Sequence, residues 1–357
     1  MDTERNGHRI FRDGRRVAKF RCLASNHFWT AVHQPSGKKF KNQIVQESLE
    51  RASVRILARR YETGKKQIMT AVHGVSADAK DSIWIANRFS PRWQNILVFD
   101  GKYIRVYDEL SKHLKEDTDE QEINLRNKKV WLCGIDYETG DLPHYDLADA
   151  ESRIDLIMYF QTLKEIGYPL RVLVSDGNSE IPYAAKKVFG QNILHQLCTR
   201  HFIEGLKRHA GEANDNLRIS NLITLIQRVI EAPDLDKSVE YLEELKRTKI
   251  RTPLEQNLIN IFKAHSKELT THLFHPELAI PHTSNDIENL FRQLNLRLKS
   301  IGRFHHYRYA RAYLKAWALL RRFTKFTDCR NGRKWRNGQA PIEIAGVNIK
   351  GIDCLKL

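Results

Sequence analysis

Two short apolar runs, each closed by Asp-Gly, constrain this chain more than any other feature. Ile96-Leu97-Val98-Phe99 leads into Asp100-Gly101, and Leu170–Ser175 leads into Asp176-Gly177. Both are too short for a helix and do not alternate with polar residues, as in strands buried on both faces. A strand covered on both sides needs helices on both sides, so the chain must build a layered α/β unit around these two runs.

The surrounding pattern agrees. Lys102–Tyr107 continues as a strand or hairpin, and Val130–Tyr137 and Leu142–Tyr145 read as further strands, separated by a turn at Tyr137–Asp141. Residues 115–122, KEDTDEQE, read as a polar loop. A helix follows over Ala150–Ile166, with Ile154, Ile157, Met158, Phe160 and Leu163 near one face. Then come a helix over Ile181–Phe189, a strand over Ile193–Cys198 and a helix over Arg200–Ala210. Residues 212–281 lose every strand signal and read as an all-helical insertion. Two helices close the α/β unit within residues 282–326, the second over Tyr307–Arg322, and a turn-rich tail occupies 327–357. The first part of the core spans 91–211.

The N-terminal segment is different. Residues 1–40 suggest short strands and turns, with Cys22 in a phrase like half of a zinc ribbon. The position where a second cysteine would stand is Ser25, and His8, His27 and His33 do not complete a recognised ligand spacing, so a bound structural zinc is not expected. Within residues 41–90, Ser53–Tyr61, a turn at Glu62-Thr63-Gly64 and Lys65–His73 have the grammar of a helix-turn-helix, with Lys65 and Lys66 opening the second helix.

Charge is segregated. The net charge of +16 is not spread evenly: residues 1–95 hold 19 Lys and Arg against 8 Asp and Glu, and residues 289–336 hold 14 against 1. The remainder is net acidic. Two basic lobes around an acidic centre suit a protein that grips a phosphate backbone on either side of a metal site. Five cysteines without dense spacing argue against a disulfide scaffold and for a reducing compartment. No apolar run reaches the ~18 residues of a membrane span, and the first residues lack the apolar core of a signal peptide. The chain is therefore expected to be soluble, cytoplasmic and nucleoid-associated, with no membrane partner.

Asp100 and Asp176 each end a buried strand, where an ionised carboxylate needs hydrogen bonds or a cation; capping of the following turn is the plainer alternative. A third acid, Glu288, lies in PHTSNDIENLFRQLNLRLKS. Thr283 is a plausible N-cap there, and Ile287, Leu290, Phe291, Leu294 and Leu298 form an apolar stripe that Glu288 borders, one turn from Arg292. An ordinary surface pair with Arg292 would also place it there.

The order strand-Asp, strand-Asp, helix-Glu resembles the DDE transposases with a ribonuclease H-like core, and among them Mutator-like elements and related prokaryotic insertion-sequence transposases. The likeness is carried by VFDGKYIRV (98–106), YETGDLPHYDLADAES (137–152), RVLVSDGNSEIPYAAKKVF (171–189), LHQLCTRHFIEGL (194–206), HTSNDIENLFRQLNLRLKSIGRF (282–304) and NGQAPIEIAG (337–346). It implies a ribonuclease H-like mixed sheet flanked by helices, interrupted by the helical insertion and preceded by the DNA-binding helix pair.

The resemblance further implies that Asp100, Asp176 and Glu288 are catalytic and bind two Mg²⁺ or Mn²⁺ ions, cutting a phosphodiester at the end of a mobile element and joining it to a target. It places Cys198 and His201, a Cys-x-x-His that lacks the second pair of a zinc site, beside the active site as support; core packing for Cys198 and surface exposure for His201 is the alternative. Double-stranded DNA is the implied partner, held by Lys65, Lys66, Arg292, Arg297 and Lys299, with the chain acting as a homodimer or larger assembly. An inactivated transposase kept as a DNA-binding protein, or a ribonuclease H-like nuclease without strand transfer, would share much of this pattern.

Overall fold

A computed structural model describes residues 3–10, 16–24, 28–30, 38–50, 52–107 and 128–357. The turns expected at Asp13-Gly14 and Pro35–Gly37, the polar loop at 115–122 and the residues Ser25, His27 and His33 lie outside them.

Three strands open the chain: β1 (Thr3–Ile10), β2 (Arg16–Cys22) and β3 (Phe28–Thr30) form a small antiparallel sheet. Four helices follow, α1 (Lys38–Glu50), α2 (Val54–Arg60), α3 (Lys65–Asp78) and α4 (Ser82–Phe89). Ser53 caps α2 through its hydroxyl, which accepts from Ile56 N, and the left-handed Glu62 turns the chain into α3. Gly64 N donates to Gln67 Oε1 at 3.1 Å, satisfying one otherwise unpaired donor at the start of α3.

The centre is a mixed sheet of five strands, ordered β6-β5-β4-β7-β8: β4 (Ile96–Arg105), β5 (Lys128–Asp136), β6 (Tyr145–Ala148), β7 (Val172–Ser175) and β8 (Leu194–Leu197). β5 is antiparallel to both of its neighbours, β4 and β6, whereas β7 runs parallel to β4 and β8 parallel to β7. Between strands lie α5 (Arg153–Glu165) and α6 (Glu180–Phe189). Sequence periodicity put the third strand at Leu142–Tyr145; it falls instead at Tyr145–Ala148, because Thr139, Asp141 and Asp136 first close a buried turn.

Alternation along β4 explains the unbroken apolar run. Leu97 and Phe99 face one layer, with Leu132, Leu173 and the buried side of α5 and α6 (Leu156, Phe160, Ile181, Ala184). Ile96 and Val98 face the other, with Trp131, Val174 and residues of the helices on that side. Those helices are α1–α3 together with α12 (Asn285–Ile301) and α13 (Tyr307–Phe323), so Ile44, Leu57, Ile68, Leu290 and Trp317 share one continuous core with the sheet. On α5 the apolar face is rotated from the sequence expectation: Leu156, Tyr159, Phe160 and Leu163 are buried, while Ile154 and Met158 are exposed.

After β8 the chain enters α7 (Thr199–Ala210), α8 (Leu217–Ile230), α9 (Leu235–Arg247), α10 (Pro253–Leu269) and α11 (Thr271–Phe274). The helical region has a core of its own, built from Phe202, Leu206, Ile223, Ile226, Leu258 and Phe262. It returns to the sheet where Gln196 Nε2 donates to Leu269 O at 3.0 Å. A final short helix, α14 (Pro341–Ile344), adds Ile342 to the sheet-side core. No helix among the described residues is long and apolar enough to cross a membrane.

Candidate active site

β4 and β7 are parallel neighbours, with Val98 opposite Val174, so the two strands carry Asp100 and Asp176 forward side by side. Both side chains are half-buried at the sheet's edge of the core. Asp100 Oδ1 accepts from Gly101 N at 2.7 Å, and Asp176 Oδ1 accepts from Asn178 N at 3.1 Å, so each also organises its own turn. Burial and then the nearby Asp176 carboxylate push Asp100 up to about 7, far above an ordinary aspartate.

A further acid joins them. Glu151, immediately before Ser152, the N-cap of α5, approaches the backbone of Gly101 and accepts from Asn178 Nδ2 at 3.4 Å. Burial and then Asp176 raise its pKa. Sequence reasoning passed over Glu151 because it ends no strand and sits in an ordinary helix-entry phrase, AESR. The signal was the glycine at 101: a position on a strand with no side chain leaves room for one arriving from elsewhere.

Glu288 occupies the first turn of α12, half-buried. The N-cap is Ser284 rather than Thr283, and its hydroxyl does not cap the helix but turns toward Glu288 Oε1 at 3.3 Å. Glu288 does not need Arg292 as a partner: its Oε2 accepts from Arg200 Nη1 at 2.9 Å, and Oε1 lies 3.7 Å from His201 Nε2. His201 in turn feels both Glu288 and Asp100, and so stands at the boundary between the two acidic groups.

Cys198 is buried at the N-terminus of α7. Its sulfur lies 3.3 Å from Ser284 Oγ and accepts from Ser284 N at 3.4 Å. Although burial opposes it, hydrogen bonding to His201 and Ser284 holds the thiol below its usual range, while the thiol raises His201 to about 9. Thr199 N donates to His282 O at 2.9 Å, which pins the start of α7 to the segment that enters α12. This link brings residues from two distant parts of the chain into one corner.

Among the described residues, Cys198, His201 and Glu288 are the one set of three His, Cys, Asp or Glu side chains whose ligand atoms all lie within 4.8 Å of one another. The oxygens of Asp100, Asp176 and Glu288 do not close to that extent, nor do those of Asp100, Glu151 and Asp176. The structure thus pairs Asp100 with Asp176, adds Glu151 beside them, and gives Glu288 its direct contacts in the adjoining corner.

The basic residues divide in the same manner. Lys65 and Lys66 are exposed at the start of α3, whose inner side buries Ile68 and Val72. Arg292 and Lys299 are exposed on α12, whereas Arg297 is half-buried and its Nη1 is enclosed with no hydrogen-bond partner among the described residues. Beyond Arg292 opens a cleft of about 540 Å³ that also takes Arg321, Arg330, Arg333 and Arg336. Arg333 pairs there with Asp286 at 2.5 Å. Part of the segregated charge of residues 289–336 thus lines this cleft, while Arg311, Lys315 and the buried Arg322 are engaged elsewhere. The chain matches no protein-family model and no curated protein.

Proposed function

We propose that the chain is a transposase of the DDE type with a ribonuclease H-like core, which binds the ends of a mobile DNA element, cuts them and joins them to a target. The observation that carries this reading is the pairing of Asp100 and Asp176 on adjacent parallel strands at the centre of a mixed sheet, with Asp100 pushed up by burial and then by its neighbour. The strand order and the helical region between Asp176 and Glu288 agree with the same reading.

The donor set fits a hard divalent cation. Asp100, Asp176 and Glu151 offer carboxylate oxygens, and their crowding is the kind of charge excess that Mg²⁺ or Mn²⁺ relieves. Asp100 and Asp176 would hold the ions, with Glu288 as the third family acid; bound there, the ions would supply an acidified water and charge neutralisation at the leaving 3′-oxygen. Asn178 orients the acids, donating from its backbone to Asp176 and from its side chain to Glu151. Arg200 fixes Glu288 by holding one of its oxygens. The helix pair α2–α3, as a helix-turn-helix, would offer Lys65 and Lys66 to the element's ends, and the arginine-lined cleft beside α12 would carry the phosphate backbone past the acids.

The test is a cleavage and joining assay on a duplex carrying the element's ends, with Mg²⁺ or Mn²⁺. Wild type should cut and produce joined products, and Asp100→Asn should bind the duplex normally and cut nothing. Cutting without joining would reduce the reading to a nuclease. Binding without cutting by wild type would leave a DNA-binding protein.

A further inference from the structure

We propose that Cys198, His201 and Glu288 form a site for a borderline-soft divalent cation, Zn²⁺, separate from the hard-oxygen site at Asp100 and Asp176. The inference goes beyond the transposase reading and rests only on which ligand atoms the fold brings together; it shares Glu288 with that reading, so an ion held here takes the carboxylate oxygen that Arg200 leaves open.

Donor chemistry distinguishes the two sites. Thiolate and imidazole ligands select Zn²⁺ over Mg²⁺, whereas the acids at the strand ends offer only oxygen. Three protein ligands leave one position of a tetrahedral ion open. With Zn–S near about 2.3 Å and Zn–N and Zn–O near about 2.0–2.2 Å, such an ion holds its ligand atoms roughly 3.3–3.7 Å apart. His201 Nε2 and Glu288 Oε1 already stand 3.7 Å apart, and all three ligand atoms fall within 4.8 Å of one another. Small side-chain movements close the set.

The surroundings are those of a supported site. Ser284 is 1% exposed, and its Oγ is 3.3 Å from Cys198 Sγ, 3.3 Å from Glu288 Oε1 and 3.4 Å from His201 Nδ1. The hydroxyl gives its one proton to the sulfur or the carboxylate and can accept from the His201 ring, so a single buried side chain touches all three candidate ligands. Ser284 N adds an N–H donor to the sulfur, and Arg200 Nη1 takes the far oxygen of Glu288, leaving Oε1 for the ion. Partners of this sort orient ligands and tune a metal site. Their position is fixed by the backbone link from Thr199 to His282, so the site exists only once both segments have folded together.

The experiment is Zn²⁺ binding by the full chain after chelator treatment, measured in competition with a chromophoric chelator, with Co²⁺ as a spectroscopic replacement. Wild type should bind one Zn²⁺ that Mg²⁺ in large excess does not displace, and Co²⁺ should give a thiolate-to-metal charge-transfer band. Cys198→Ser and His201→Ala should weaken binding at least about 100-fold and abolish the band, and Ser284→Ala should weaken it about tenfold. Glu288→Gln, a near-isosteric change at a half-buried position, should weaken it by a similar factor. Cys22→Ser and Cys329→Ser should bind as wild type, which excludes the N-terminal segment and the tail as the source. Folding of every variant is checked by circular dichroism. Absence of stoichiometric Zn²⁺ on folded wild type, or an unchanged charge-transfer band in folded Cys198→Ser, would overturn the proposal. No arm reads DNA cleavage, so failure of the transposase reading would leave this result standing.

Discussion

Glu151 lies so close over Gly101 that a Cβ on residue 101 would overlap Oε1 and stand 2.7 Å from its Cδ. The same Cβ would meet Val130 Cγ1 at 2.9 Å, and Val130 is wholly buried, so Glu151 is the side that must yield. Gly101→Ala is therefore expected to push Glu151 away from Asp176. Under the transposase reading, Gly101→Ala and Glu151→Gln should each lower Mg²⁺-dependent cleavage about 10- to 100-fold while leaving DNA binding intact, the range typical when a group that supports a metal site is lost. Cleavage rates on an end-containing duplex check this; a Glu151→Gln enzyme as fast as wild type would remove Glu151 from the acid cluster's work.

Stability should depend sharply on Asp141. Arg322 and Asp141 are both fully buried, joined by two hydrogen bonds of 2.8 Å, and Trp93 Nε1 donates to the same carboxylate at 2.8 Å. Asp141→Ala leaves a buried guanidinium unpaired and is expected to cost about 3–5 kcal/mol. Removing both charges, as in Asp141→Leu with Arg322→Met, should recover most of that loss. Denaturant unfolding of the single and double variants measures both; equal destabilisation in single and double would mean that the charges are not what matters at this position.

Much of this architecture was legible in the sequence. The unbroken apolarity of Ile96–Phe99 and the matching run before Asp176 gave two central strands, and register alone then brought the two aspartates together. The Gly64 turn and the helices on either side of it were equally readable. What could not be read were contacts between segments far apart in the chain. Arg200 and Glu288 are 88 positions apart, and no local spacing announces their pairing. The same holds for Ser284 and Cys198, which turn an incomplete Cys-x-x-His into a three-ligand corner. On α5, Ile154 and Met158 misled the periodicity because apolar residues can sit on a surface, whereas Tyr159 is buried with its hydroxyl donating to His144 O.

His144 should make the protein acid-sensitive. It is 7% exposed, its Nδ1 lies 2.7 Å from Ser82 Oγ, and its ring packs against Tyr159. Burial first, and then the charges of Arg311 and Arg322, push it down to about 3. In the unfolded chain the same imidazole takes a proton near pH 6.5. Below that pH the unfolded state binds a proton that the folded state refuses, so stability falls as pH drops from about 6.5 toward 3, by up to about 1.4 kcal/mol per pH unit. His195 and His272, both pushed down to about 4 by burial, act in the same direction. Asp100, held up to about 7, and the raised Glu151 act in the opposite direction over the same range, so the share of His144 is read as a difference: melting temperature should fall less, or rise more, between pH 6.5 and 4 in His144→Gln than in wild type. An unchanged slope would show that His144 does not contribute to it.

Under the transposase reading, DNA binding should be strongly salt-dependent and should separate into two contributions. Lys65 and Lys66 are exposed at the N-terminus of α3, where a recognition helix would read base edges. Arg292 and Lys299 are exposed on α12 beside the arginine-lined cleft, where they would meet phosphates. If roughly 6–10 phosphates are neutralised, affinity should fall about 10³- to 10⁵-fold between 50 and 200 mM salt. Arg292→Ala and Lys299→Ala should then weaken binding to every duplex alike and make the salt slope shallower by about one per contact removed, because phosphate contacts carry no sequence information. Lys65→Ala and Lys66→Ala should instead reduce the preference for end-containing duplex over random duplex. Arg297→Ala should leave the salt slope as it is, since its half-buried guanidinium has one nitrogen enclosed within the fold. Titrations of each variant at three salt concentrations decide the matter: a flat response in wild type would deny the phosphate grip, and a change of slope in Arg297→Ala would return that residue to the DNA face.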